Sequence, residues 1–319
     1  MKKEKHILVT GGAGFIGAHL VERLLKDGKS VVVIDDLSTG SRDNLRAVAQ
    51  NKNFRFIQTK ISAYTELPEI AADAEFIFHL AATVGVELVV KSALHVLEAS
   101  FNETQILLRA AAKNSTPILF TSTSEVYGKS AKPEFSEDDD LLIGPPGQSR
   151  WSYACSKLTD EFLALAYARE RNLPVTIARL FNTVGPRQTG RYGMVLPRFI
   201  SAAKNNEPLK VFGDGAQSRC FCLVHDVVEA LVRLQQSGAA RGEIFNIGST
   251  EEISILELAK LVVATLGSKS AIELIPYDQA YAPGFDDMRR RKPLVEKLER
   301  CVNFKPQTTL REIIRLTAG

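Results

Sequence analysis

Ile7-Leu8-Val9-Thr10-Gly11-Gly12-Ala13-Gly14-Phe15-Ile16-Gly17 is the stretch that decides the fold. A short strand-forming run enters a glycine loop that satisfies G-x-G-x-x-G on Gly12, Gly14 and Gly17, and a segment of helical period follows at once. A turn this tight needs residues without Cβ, and a pyrophosphate needs close backbone approach. The helix N-terminus then offers unpaired N–H groups and partial positive charge to the phosphates. Asp35 closes the next apolar run, 18 residues after Gly17. A carboxylate there can bind both adenosine ribose hydroxyls and repel a 2′-phosphate, so the pattern predicts NAD rather than NADP.

Outward from this loop, nearly continuous apolar runs recur at Ile7–Thr10, Val31–Ile34, Phe54–Gln58, Phe76–Leu80, Ile118–Thr121 and Val175–Leu180. Strands covered on both faces read this way. Segments of helical period lie near 15–27, 92–113 and 151–171. The alternation predicts an α/β fold, a doubly wound parallel (Rossmann) sheet, over residues 1–180. After 181 the rhythm loosens into Gly/Pro-rich loops, with helices expected near 194–205, 226–237 and 254–266. A smaller α/β C-terminal substrate lobe, 181–319, is expected, some of its segments returning to the Rossmann domain.

The 319 residues are 45% hydrophobic and 24% charged, an ordinary globular composition. A net charge of +3, spread along the chain, gives no reason to expect nucleic acid. No secretory core or membrane span is expected before the first strand, and a cytoplasmic location follows as the default. Cys155, Cys220, Cys222 and Cys301 show no C-x-x-C spacing, which predicts reduced thiols and no metal site.

Tyr153 and Lys157 stand four apart on the helix expected at 151–171, so they share a face and can act on one site. By itself the spacing is weak, since any exposed helix can carry it. It gains weight from Thr121-Ser122-Thr123-Ser124-Glu125-Val126-Tyr127-Gly128, which lies at the C-terminal end of a sheet strand, where open α/β folds bind ligands.

Together with His79-Leu80-Ala81-Ala82, Arg179-Leu180-Phe181-Asn182, Gly213-Asp214-Gly215 and Asn246-Ile247-Gly248, these residues resemble the extended short-chain dehydrogenases/reductases. That family comprises the nucleotide-sugar epimerases, dehydratases and decarboxylases, and the resemblance covers nearly the whole chain. It implies that Tyr153 removes the sugar 4-hydroxyl proton while C4 gives hydride to NAD⁺, and that Lys157 holds the nicotinamide ribose and favours the phenolate. Moving a tyrosine from a pKa of about 10 to about 7 takes roughly 4 kcal/mol, within reach of a nearby ammonium plus a cationic ring. The resemblance further assigns to NAD Gly11, Gly14, Phe15, Ile16, Gly17, Asp35, Ser38, Ile61, Leu80, Ala81 and Ala82, besides Tyr153 and Lys157. A UDP-sugar would meet Asn182, Val211, Phe212, Arg219 and Arg291.

Within the family, Ser124-Glu125 and Gly144-Pro145 with Arg150-Trp151-Ser152-Tyr153 resemble the nucleotide-sugar-acid decarboxylases. So does Asp287-Met288-Arg289-Arg290-Arg291-Lys292-Pro293, whose arginine before Lys-Pro is implied to face the sugar carboxylate. The expected catalytic set is Tyr153, Lys157, Thr123, Ser124, Glu125 and Arg291. Oxidising C4 of a uronic acid gives a β-keto acid that loses CO₂ and is reprotonated at C5 before reduction. Ser124 can polarise the C4 oxygen, while Glu125 and Arg291 handle the carboxylate and the C5 proton. UDP-glucuronate decarboxylation to UDP-xylose is the expected reaction. The alternatives are 4-epimerisation of UDP-glucose or UDP-glucuronate and, from another class, a non-catalytic NAD sensor, which would have no use for Tyr153, Lys157 and Ser124 together. Relatives also suggest a homodimer through helices 92–113 and 151–171. Lys60, Ser100 and Glu103 depart from the family pattern near the cofactor.

Overall fold

The computed structural model describes residues 5–82, 93–190, 194–276 and 288–319. The first half alternates β1 (His6–Thr10), α1 (Phe15–Lys26), β2 (Val31–Asp35), β3 (Phe54–Gln58), α2 (Leu67–Asp73), β4 (Ala74–His79), α3 (Ala93–Ala112), β5 (Ile118–Thr123), α4 (Trp151–Arg171) and β6 (Val175–Leu180). Then follow β7 (Thr183–Val184), α5 (Val195–Lys204), β8 (Leu209–Phe212), β9 (Ser218–Cys220), β10 (Cys222–Leu223), α6 (Val224–Gln236) and β11 (Ile244–Ile247). The chain ends with β12 (Glu252–Ser254), α7 (Ile255–Leu266), β13 (Ile272–Ile275), α8 (Glu296–Val302) and α9 (Leu310–Ala318).

Seven parallel strands form the main sheet in the order β11-β6-β5-β4-β1-β2-β3. The order reverses between β1 and β4, and such a switch point opens a crevice outside the strand C-termini. Burial explains the strand compositions: every residue of β2 is buried, as are four of five in β1, because helices cover both faces. One apolar core packs α1 and α6 against one face of the sheet, and a second packs α2, α3 and α4 against the other. The doubly wound parallel sheet is the expected one, with ends that differ by a residue or two. The fourth strand begins at Ala74 rather than Phe76, because its pairing with β1 extends back to His6.

The seventh strand has no counterpart among the apolar runs singled out from sequence. Ile244–Ile247 pairs in register with Ile177–Leu180, so residues 224–247 pack with the main sheet although they follow the Gly/Pro-rich loops. The remaining C-terminal elements build a separate core in which α5, α7 and α9 enclose Leu209, Val211, Phe221 and Leu258. Among the described residues, no helix is long and apolar enough to cross a membrane, and no group of three or more His, Cys, Asp or Glu could hold a metal.

Candidate active site

The glycine loop turns between β1 and α1 at the switch point. Gly11 has φ +73°, and a Cβ there would stand 2.5 Å from the backbone nitrogen of Ala81. One on Gly17 would lie 2.2 Å from the carbonyl oxygen of Gly11. Both positions therefore demand glycine, and the packing presses the loop against the segment that leaves β4. Gly14 caps α1 without any side-chain bond, and no acidic residue occupies the helix's first turn. The N–H groups and dipole there are left for an anion, as a pyrophosphate requires.

Asp35 ends β2 beside this loop. Its Oδ2 accepts from the Ala13 amide at 2.9 Å and its Oδ1 from the Leu37 amide at 2.8 Å. Burial raises its pKa, while those two amides pull it back down. Each oxygen keeps acceptor capacity for a ribose hydroxyl. Ser38 is exposed on the following loop, Ile61 is buried, and Leu80, Ala81 and Ala82 are half-buried at the exit from β4. Bound NAD fits this cradle: close backbone approach, free helix amides and a carboxylate are all present.

The proton-transfer pair sits in the first two turns of α4. Lys157 is 2% exposed; its Nζ donates to the Thr121 carbonyl oxygen at 3.1 Å and lies 4.5 Å from the centre of the Phe120 ring. Burial lowers its pKa, and Asp160 and Glu161 work against that. Tyr153 is pushed far up by burial and by the charges of Glu125 and Asp160, against a hydrogen bond from Thr123. These surroundings favour the neutral phenol of Tyr153. A cationic ring bound beside the Lys157 ammonium would favour the phenolate.

Thr123 ends β5, and its side chain accepts from the Glu125 amide, capping the single helical turn over Ser124–Tyr127. That turn buries Ser124, at 1% exposure, and aims Glu125 at the arginines. Arg291 Nη1 lies 2.7 Å from Glu125 Oε1, and Arg150 Nη2 lies 3.6 Å from Oε2. Burial would raise the pKa of Glu125, but Arg291, Arg150 and Arg219 outweigh it and hold the carboxyl below its usual range. Arg291 is 7% exposed, and its Nε finds no partner among the described residues. An isolated charge would not persist in such surroundings; an arginine with a donor to spare beside a carboxylate suits an incoming second carboxylate.

On the substrate side, Asn182 donates to the Cys220 carbonyl oxygen at 2.9 Å and Arg219 to that of Ser218 at 2.7 Å. Val211 is fully buried in the C-terminal core, while Phe212 is half-buried with the Arg198 guanidinium 5.3 Å from its ring centre. Only Phe212 of that pair offers a side chain to a ligand.

The NAD dependent epimerase/dehydratase family model matches residues 7–248 of this sequence. The chain belongs to that family. Within the NAD dependent epimerase/dehydratase family it is 41% identical over 315 residues to the UDP-N-acetyl-alpha-D-glucosaminuronate decarboxylase of Bacillus cytotoxicus, covering 98% of this chain and 97% of that protein. It is 35% identical to UDP-glucuronic acid decarboxylase 4 of Arabidopsis thaliana, over 98% of this chain and 67% of that one. The UDP-glucuronic acid 4-epimerase of Bacillus cereus, solved with UDP-glucuronic acid and NAD, superposes with a TM-score of 0.87 at 30% identity, over 98% of each chain.

The family cofactor is NAD, as the loop and Asp35 predict. Sequence reading of this epimerase/dehydratase chain did not single out Arg150 as a partner of Glu125; its place three residues before Tyr153 was the available signal. It also left Ser100 and Glu103 without a role. Glu103 accepts from the amide of Ser62 at 2.9 Å and from its hydroxyl, tethering α3 to the turn at Ile61. Ser100 Oγ donates to Asp160 Oδ2 at 2.8 Å. Lys60 stands at the N-cap of the same Ile61 turn.

Proposed function

We propose that this enzyme decarboxylates a UDP-linked uronic acid, UDP-glucuronate to UDP-xylose first among them. The observation that carries the reading is the grip of Arg291 and Arg150 on Glu125, one residue beyond Ser124. It sets a guanidinium with donor capacity beside the carboxylate that the chemistry needs. Bound NAD supplies the acceptor for the C4 hydride and its later return. Tyr153 takes the 4-hydroxyl proton as C4 is oxidised and gives it back on reduction. Lys157 favours the phenolate, and Thr123 and Ser124 hydrogen-bond the C4 oxygen. Once C4 is a ketone, the C5–C6 bond breaks with CO₂ leaving, and Glu125 governs the proton that returns to C5.

The 41% identity to a decarboxylase of the N-acetylated sugar acid supports that compound as a second substrate. The 4-epimerase neighbour supports the alternative in which the ketone turns over before reduction. Incubation with UDP-glucuronate, its N-acetylated 2-amino counterpart and UDP-glucose, followed by product chromatography and CO₂ capture, tests all three. Release of CO₂ from neither acid, with the 4-epimer as product, would replace the decarboxylase reading by the epimerase one.

The proposal includes the division of labour between residues 1–180, which hold NAD, and 181–319, which hold the UDP-sugar, with 224–247 serving the first unit. In it Asn182 and Arg219 contact the nucleotide diphosphate, and Phe212 lies beside the base. A homodimer is also part of it. Leu94, Leu97 and Phe101 on α3 and Phe162 on α4 are exposed, an apolar face suited to a seam between copies. Light scattering tests the dimer, and fractionation of cells tests a cytoplasmic location.

A further inference from the structure

Asp160 is a buried carboxylate that the mechanism above does not use. It lies three residues after Lys157 and seven after Tyr153, on the same face of α4. Its exposure is 0%, and its Oδ1 has no hydrogen-bond partner among the described residues. From α3, Ser100 donates to Oδ2 at 2.8 Å and Thr104 adds a second hydroxyl. Thr104 in turn meets His79 Nε2 at 3.2 Å, and His79 Nδ1 meets Thr10 Oγ1 at 2.7 Å. A buried polar chain thus runs from the catalytic helix to the residue before the glycine loop. An anion without an ion-pair partner at contact distance is costly in such a place unless its charge has a use.

We propose that Asp160 is a positioning residue: anchored by Ser100, it keeps Lys157 an ammonium and so sets the pH range in which Tyr153 exchanges its proton. The inference rests only on the Tyr153–Lys157 oxidation step, which the decarboxylase and epimerase readings share. From the turn after β5, Glu125 acts on Tyr153 more strongly than Asp160 does, with Arg291 and Arg150 as its own cations. On α4 itself the titratable groups are Lys157, Glu161 and Tyr153. Arg179 of β6 is occupied by Glu161, at 2.8 Å. His79 of β4 is neutral, burial holding its pKa down at about 3. The α3 contacts are hydroxyls. Burial raises the pKa of Asp160 itself, against the pull of Lys157, Ser100 and Thr104; it has no salt-bridge partner at contact distance among the described residues, and both Lys157 and Tyr153 feel its charge.

The test follows from the sign. Removing a buried negative charge makes the Lys157 ammonium less favourable and the Tyr153 phenolate more favourable, so both groups titrate at lower pH. Asp160→Asn keeps the shape and the Ser100 contact but not the charge. In the holoenzyme, both limbs of the kcat/KM profile are expected to move toward acid, by on the order of one pH unit. Ser100→Ala removes one hydroxyl that favours the Asp160 anion and should move both limbs the same way by less. A second readout needs no substrate: ultraviolet difference titration of the NAD-loaded protein, with Tyr153→Phe subtracted, follows the Tyr153 phenolate directly. A shift of that titration in Asp160→Asn supports the proposal even if the substrate reading fails. Unmoved limbs with reduced amplitude, or an unmoved phenolate titration in a folded, NAD-binding variant, would overturn it and leave Asp160 a packing residue.

Discussion

Arg291→Ala isolates the contact on which the decarboxylase reading depends. In the native arrangement Glu125 faces Arg291 at 2.7 Å and Arg150 at 3.6 Å, so truncating Arg291 leaves one guanidinium in place. Glu125 then titrates at higher pH than before, because the strongest of its three cations is gone, but Arg150 and Arg219 still favour the ionised form. Tyr153 and Lys157 keep their own contacts, although the Glu125 charge that raises the pKa of Tyr153 then has one cation fewer beside it. On the proposed reading, what disappears is a buried, charge-assisted contact to the sugar carboxylate, on the order of 1.5–3 kcal/mol. That corresponds to a fall of roughly tenfold to 150-fold in kcat/KM for UDP-glucuronate. The contact exists before the C5–C6 bond breaks and vanishes as CO₂ forms, so the loss should fall on KM more than on kcat. CO₂ release gives both constants, and calorimetric binding of neutral UDP-glucose serves as the control. A loss below about threefold, or an equal loss for UDP-glucose, would refute the assignment of Arg291 to the carboxylate.

Tyr153→Phe should abolish turnover while NAD affinity stays nearly intact; activity within about tenfold of wild type, under about 1.4 kcal/mol of barrier, would remove Tyr153 from the role of base. Asp35→Ala should weaken NAD and narrow its preference over NADP, read from titration of both cofactors, and an unchanged affinity ratio would separate Asp35 from the ribose. Gly17→Ala places a Cβ 2.2 Å from the Gly11 carbonyl oxygen, so the loop must open, and NAD affinity should fall at least tenfold by fluorescence titration. Arg179→Ala strips Glu161 of its buried partner and should cost about 3–5 kcal/mol of stability; calorimetry showing no fall in Tm would mean the pair is not needed for folding.

The sheet was legible because its signals are local. A strand buried on both faces announces itself as a short apolar run, and the glycine loop carries its demands within seven residues, Gly11 to Gly17. Strand β11 escaped because Ile244–Ile247 is a four-residue run whose place depends on pairing with Ile177–Leu180. Nothing in its own composition states that partner. The same limit applies at the site. Tyr153 and Lys157 are helical neighbours and can be read together, whereas Arg150, Arg219 and Arg291 reach Glu125 from three separate segments. The Ser100 departure made sense only beside Asp160, which the packing of α3 on α4 brings within 2.8 Å. Charge clusters assembled by tertiary contacts leave no spacing in the sequence to find.

The charge balance at Glu125 bears on which reaction follows the common oxidation. Three guanidinium groups act on one carboxylate there, among the described residues. A neutral hexose would leave Arg291 Nε, which has no partner among the described residues, without an acceptor in surroundings where Arg291 is 7% exposed. On the proposed reading a uronate supplies that acceptor, so such a site would discriminate by the cost of leaving a buried donor unpaired as much as by the contacts it makes. On the same reading the discrimination reverses once CO₂ departs, because the product lacks the carboxylate and Arg291 is left with Glu125. A 4-epimerase acting on UDP-glucuronate would keep the carboxylate throughout and gain nothing from a glutamate competing for the same arginine. Glu125 held at 2.7 Å by Arg291 is therefore better suited to a reaction that consumes the carboxylate, because the glutamate can reclaim its partner as each turnover ends.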